Sequence, residues 1–226
     1  MTAQEKLPLP SAGWAVIDPG PETTSDPAAV IEFARPYGTV SARDGGAAWA
    51  IRPRQEHGTF SQTNVEAPLH TDAQYRDNPE GAFLLACARP AETGGDSIVL
   101  RVSDLLESLA ARPGREDLLH LLTASIWRWR TPPVFGGPRI SAPSPILKFR
   151  PDGTPTMRWR LDNLVVDEKC DWAARVVAEA AATHKARRLL RVTAGQILVC
   201  DNATVLHGRT AFTDPKRLLW RVRVHP

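Results

Sequence analysis

Three residues in two short stretches carry the chemistry this sequence offers. In EAPLHTDAQY, His70 and Asp72 stand two positions apart. If that segment is extended, alternate side chains leave from one face, so an imidazole and a carboxylate point the same way. In ILVCDNATVLHGR, His207 follows a strongly apolar strand and a turn, 137 residues after His70. Two imidazoles and one carboxylate make the facial triad of non-haem Fe(II) oxygenases, which leaves coordination positions open. Zinc accepts the same donors. A zinc-dependent hydrolase using His70, Asp72 and His207, or a jelly roll that binds metal or ligand without turnover, therefore stays open at this point. The other histidines read as surface or helix-capping groups: His57 beside turn residues, His120 in a helical segment, His184 near a helix C-terminus, His225 next to the last residue.

The elements that must position these residues are short. Twenty prolines and 15 glycines punctuate 226 residues, which favours strands over a helical bundle. Strands are predicted at 82–87, 97–100, 125–130, 146–149, 156–161, 196–200 and 218–224. IWRWR, MRWRL and WRVRV alternate apolar and polar residues, the mark of a strand with one wet or cavity-lining face. Four helices are predicted: one opened by Asp26-Pro27, one capped by Ser103 and stopped by Pro113, one over 115–122, and one over 171–186 with Asp171 as N-cap. The fold class is mainly β with flanking helices, an antiparallel sandwich or barrel with helices on one outer face. The length suits a single domain over 1–226, with 1–25 as an N-terminal extension and the Pro/Gly-rich 131–145 as a flap loop. Trp127, Trp129 and Trp159 are expected in the core.

Composition narrows the function classes. With 42% hydrophobic and 23% charged residues the chain is not disordered. No apolar run approaches the roughly 18 residues of a membrane-spanning helix, and the N-terminus does not read as a signal peptide. The net charge of +3 is scattered apart from HKARRLLR at 184–191, which suits a small anionic molecule better than nucleic acid. Three cysteines far apart give no disulfide framework, so a reducing cytoplasm is expected. Oligomeric state stays open.

The flanks of the two stretches go further. HTD, then P-x-x-T-G-G-D-S, then DN-x-x-VLHGR-x-x-F, then a closing pair of arginines stand in order over about residues 60 to 224. In this the sequence resembles the taurine dioxygenase-like (TauD/TfdA) superfamily of Fe(II)/2-oxoglutarate-dependent oxygenases. The DN…HGR…F wording looks most like the clavaminate synthase and asparagine hydroxylase branch; HTD is closer to the taurine dioxygenase branch, because the former often carries Glu at the carboxylate position.

The resemblance implies a double-stranded β-helix, a cupin-like jelly roll, with His70, Asp72 and His207 as iron ligands. It implies 2-oxoglutarate and O2 as co-substrates and release of succinate and CO2. By family position Arg217 takes the far carboxylate of 2-oxoglutarate, a task that suits a bidentate guanidinium, and Ser97 stands where a hydroxyl donates to the same carboxylate. Arg221 matches a second arginine that holds the substrate or the inner carboxylate. On a strand, 217, 219, 221 and 223 share one face. The loop between His207 and Arg217 is shorter than in the hydroxylase branch, which leaves that register open. Since family halogenases lack the carboxylate, Asp72 implies hydroxylation, with desaturation or cyclisation still open. The substrate is expected to be a small polar or anionic molecule, an amino acid or natural-product intermediate. Arg158 and Arg160, in RWRLDN, are the tentative substrate contacts. Arg209 reads as a loop anchor and Asp201-Asn202 as a turn that aims His207.

Overall fold

The computed structural model describes residues 7–226 apart from 44, 56, 57 and 138, so His57 lies outside the described residues. In chain order the strands are β1 (Trp14–Ile17), β2 (Thr39–Val40), β3 (Ala48–Ile51), β4 (Ala67–His70), β5 (Ala82–Arg89), β6 (Ser97–Arg101), β7 (Arg128–Trp129), β8 (Leu147–Phe149), β9 (Pro155–Met157), β10 (Leu164–Val165), β11 (Arg188–Leu190), β12 (Ile197–Asp201), β13 (Val205–Arg209) and β14 (Leu218–His225). The α-helices are α1 (Pro21–Ser25), α2 (Pro27–Ala34), α3 (Val102–Ala110), α4 (Arg115–Thr123) and α5 (Asp171–Thr183).

Two antiparallel sheets face each other. The major sheet runs β1-β12-β5-β14-β2, with β3 also on β14; the minor sheet runs β11-β6-β13-β4. Period-2 alternation explains which residues fill which layer. On β5, Ala82, Leu84 and Ala86 pack under Val30 and Ala34 of α2, while Phe83 turns between the sheets onto Val99, Cys200 and Val205. On the minor sheet, Leu69, Ile98, Leu100 and Leu206 face outward under α3, α4 and α5, in a cluster that also holds Trp127, Trp129 and Trp159. Each such side chain, fully buried, contributes about 1.5–3 kcal/mol.

Several expectations are corrected. Helices cover both outer faces: the outward side of the major sheet, with Ala82, Leu84 and Ala86 of β5 and Val222 and Val224 of β14, is as apolar as that of the minor sheet and must be covered too. Within the N-terminal extension, β1 pairs with β12 from Trp14↔Cys200 to Ile17↔Ile197, and Pro21–Ser25 is helical. Asp171 is the first residue of α5 rather than its cap, paired with Arg175 one turn on. α3 starts at Val102, and Arg101 before it bonds Asp104. The strand at 125–130 shrinks to Arg128–Trp129 and that at 156–161 to Pro155–Met157. The 131–145 segment is no free flap: the Ser141 and Ser144 amides donate to Trp129 and Trp127 carbonyls, and Phe135 packs against Trp49 and Tyr75.

Candidate active site

β13, which is not among the strands predicted above, carries His207 and lies between β6 and β4. Its odd residues point between the sheets, and the register sets His207 opposite His70 on β4. Their ring centroids are 4.3 Å apart, and Phe83 from the facing sheet packs 4.2 Å from the His207 ring. Gly208 permits this approach, since a Cβ there would stand 2.6 Å from the Ala67 carbonyl oxygen.

Asp72 lies just beyond β4, outside any ladder. Its Oδ1 is 3.7 Å from His70 Nε2 and 3.8 Å from His207 Nε2, and one ligand atom from each of the three lies within 4.8 Å of the others. His70 Nδ1 is 2.8 Å from the Pro68 carbonyl oxygen. That carbonyl can only accept, so Nδ1 donates to it and Nε2 is the ring nitrogen turned towards Asp72. Arg221 Nη1 donates to both Asp72 oxygens at 2.8 and 3.1 Å. Burial pushes the Asp72 carboxyl up, but the Arg221 guanidinium outweighs it and holds the group well below the usual carboxylate range. Burial, with His70 alongside, holds His207 well below its ordinary value and hence neutral. An ionised carboxylate and neutral imidazoles are the protonation states a metal needs.

One cavity joins this cluster to the sequence-predicted cofactor residues: His70, His207, Ser97, Arg217 and Arg221 all line it. Arg217, just before β14, is only 4% exposed. Its Nη2 donates to the Gly95 carbonyl at 3.1 Å and its guanidinium lies 4.8 Å over the Phe212 ring. Nη1 is buried without a partner among the described residues. Burial lowers this arginine to about 10, so it stays charged at neutral pH. Gly95, at φ +72°, makes room for it; a Cβ would stand 2.8 Å from Arg217 Nε. Arg223 shares the inward face but bonds the Arg43 carbonyl instead.

A second cavity of about 200 Å³ opens on the other side of His70, lined by Phe60, Leu69, Trp159, Arg160 and Asp162. Arg160 pairs with Asp162 through two bonds of 2.7 and 2.9 Å and lies 4.5 Å over the Phe60 ring. Arg158 is not among the residues that line this cavity. The strand ends at Met157, and Arg158 turns onto the Gln74 and Arg76 carbonyls and the Ser144 hydroxyl. These bonds tie residue 158 to the 74–76 loop and to Ser144. Arg209 is the anchor expected of it, donating to the carbonyls of Phe60, Thr63 and Val65. Phe60, which lines both cavities, left no signal in the sequence.

The donor set fits an iron ion: two imidazoles and a carboxylate converge, with the carboxylate ionised and His207 neutral. The buried, unpartnered Nη1 of Arg217 fits the far carboxylate of 2-oxoglutarate.

Residues 16–223 match the family described as taurine catabolism dioxygenase TauD, TfdA family. The chain belongs to this family. Its fold is that of an asparagine oxygenase solved with Fe(II), 2S,3S-3-hydroxyasparagine and succinate, at 22% identity and a TM-score of 0.76 over 94% of this chain and 74% of that one. The non-heme iron oxygenase OrfP, solved with Fe and alpha-ketoglutaric acid, is similar at 19% identity and a TM-score of 0.69, again over 94% and 74%. The PvcB protein of Pseudomonas aeruginosa is similar at 20% identity and a TM-score of 0.64, over 89% and 72%. This TauD/TfdA dioxygenase has, among its described residues, no helix long and apolar enough to cross a membrane.

Proposed function

We propose that the chain is an Fe(II)/2-oxoglutarate-dependent dioxygenase that hydroxylates an unactivated C–H bond of a small polar or anionic molecule of the amino-acid kind. The observation that carries this reading is the cavity shared by His70, His207 and Arg217, in which a buried cation has a donor without an acceptor among the described residues. An isolated buried charge is costly, so the site favours an anion reaching from the metal cluster to Arg217. The hydroxyasparagine and hydroxy-L-Arg in complexes of the neighbours support an amino-acid-like substrate.

His70, Asp72 and His207 would hold the iron; with 2-oxoglutarate and O2 it supplies C–H oxidation, releasing succinate and CO2. Arg217 binds the far carboxylate with a charge-assisted pair, and Ser97 adds a hydroxyl from the first residue of β6. Arg221 holds Asp72 ionised and fixes its orientation. Ile51, Leu85 and Leu219 line the same cavity and exclude water from it. Arg160 stands at the lip of the second cavity, already oriented by Asp162, where it meets an anionic group of the substrate. The Phe60 ring stands between the two.

The test is succinate formation with Fe(II), 2-oxoglutarate and O2 across a panel of free amino acids and small carboxylates. Substrate-stimulated turnover with Fe(II) and none with Zn(II) supports the reading. Hydrolysis sustained by Zn(II), or 2-oxoglutarate binding unaffected by Arg217→Ala, overturns it.

A further inference from the structure

We infer that Asn202 is a positioning residue for metal binding: its side-chain amide fixes the main chain of Asp72 from across the barrel. This rests on reading His70, Asp72 and His207 as the metal site. Asp72 needs such a device. His70 is held in the β4–β13 ladder, and His207 between two strands, but Asp72 follows the end of β4. The next residue, Ala73, adopts φ 55°, a left-handed conformation that L side chains rarely take. A buried alanine in that region persists only where its surroundings over-determine it.

Asn202 supplies much of that determination. The Asp72 amide donates to Asn202 Oδ1 at 2.7 Å, and Asn202 Nδ2 donates back to the Asp72 carbonyl at 3.0 Å. The second Nδ2 hydrogen goes to the Glu80 carbonyl at 2.7 Å. The side chain is 3% exposed, and both of its donors and an acceptor are engaged. The two-way pair satisfies both polar groups of the Asp72 peptide, as a neighbouring strand would have done. Asn202 is itself fixed, its amide donating to the Gly81 carbonyl at 2.8 Å. The preceding Asp201 caps the turn into β13, accepting from the Ala203 and Thr204 amides at 2.8 and 3.0 Å. One dipeptide thus sets both the strand that aims His207 and the loop that aims Asp72.

The experiment titrates the metal-free full chain anaerobically with Fe(II), and with Co(II) for its visible spectrum. Asn202→Ala removes all three bonds. Asn202→Asp keeps the size and the acceptor but sets carboxylate oxygens against two carbonyls, so it is the second variant should the first not fold. Loss of an outer-shell partner typically lowers metal affinity 10- to 100-fold, and that loss is expected for either, with an altered Co(II) spectrum. Leu109→Ala, a core truncation under the minor sheet, serves as a control destabilised without touching the site, and should bind metal normally. Asn202 variants that bind Fe(II) and Co(II) as the wild type does, while losing thermal stability as Leu109→Ala does, overturn the inference. His70→Ala keeps the two failures apart: if it too leaves affinity intact, the metal-site reading falls; if it alone weakens binding, only the role of Asn202 does.

Discussion

Arg217 and Arg221 line one cavity with different partners, and the partners set their expected phenotypes. Arg217 holds one backbone carbonyl and keeps Nη1 unpartnered; Arg221 is committed to both oxygens of Asp72. Losing a charge-assisted pair to a buried carboxylate costs about 2–5 kcal/mol. Arg217→Ala should therefore weaken 2-oxoglutarate binding by tens- to thousands-fold in an anaerobic titration, and Arg217→Lys should restore part of it without the bidentate fork. Arg221→Ala leaves Asp72 buried and unpaired, so the metal-free protein should lose about 3–5 kcal/mol in a denaturant titration, with a smaller loss once Co(II) supplies a new positive partner. If Arg221→Ala abolishes 2-oxoglutarate binding and Arg217→Ala does not, the two roles are exchanged. His207 gives a pH dependence of defined sign. It is held neutral in the fold, well below its ordinary value, whereas the unfolded chain protonates it near pH 6.5. Below about that pH the unfolded state binds the extra proton, so the stability of the metal-free protein should fall as pH drops and stay flat just above. Asp72, depressed below its ordinary range, adds a loss of the same sense in more acid solution. A denaturation midpoint equal at pH 5 and pH 7.5 would contradict the buried neutral His207.

At the scale of elements, one side chain ties the segment after Thr59 to β13. Arg209 gathers three carbonyls of 60–65 and so fixes Phe60 between the two cavities. Arg209→Met keeps much of the stem but takes its donor from the Thr63 and Val65 carbonyls, and should destabilise the fold by about 2–4 kcal/mol. An unchanged denaturation midpoint would mean the segment is held elsewhere. What the sequence discloses follows a physical division. His70, Asp72 and His207 were legible because their chemistry depends on residue type and local spacing, and Arg217, Arg221 and Ser97 because the motifs around them come in a fixed order. The apolar strands β5, β6, β12 and β14 were legible from runs and alternation. β13 was not: VLHGR is five residues with a glycine in it, and only its place between β6 and β4 makes it a strand. The bonds of Arg158 left no trace in the sequence because its partners, Gln74 and Arg76, are 84 and 82 positions away, and no local pattern records such a contact. Asn202 carried a turn signal that was correct for its neighbour Asp201, while its own reach of 130 residues to Asp72 was invisible.

At the scale of the whole molecule the two sheets divide the work. The minor sheet carries both histidines; the major sheet, through β14 and the residue before it, carries the arginines that face them. Their alignment depends on the edge that β1 closes. β1 covers β12 over its first four residues, and the Asp201 amide at the end of β12 donates to the Gly13 carbonyl at 2.7 Å. The N-terminal segment therefore holds the same Asp201-Asn202 turn on which His207 and Asp72 rely. Removing residues 1–17 would strip one face of hydrogen bonds from β12 and leave Cys200, Val199 and Leu198 on an exposed edge, a template for pairing with another chain. The truncated protein should show a lower denaturation midpoint and concentration-dependent association in sedimentation or light scattering. Its metal affinity should fall as well, since the loss begins at the turn that sets two of the three ligands. A truncated chain that remains monomeric, with unchanged midpoint and Fe(II) affinity, would make residues 1–17 an appendage and leave the β12 edge stable without cover.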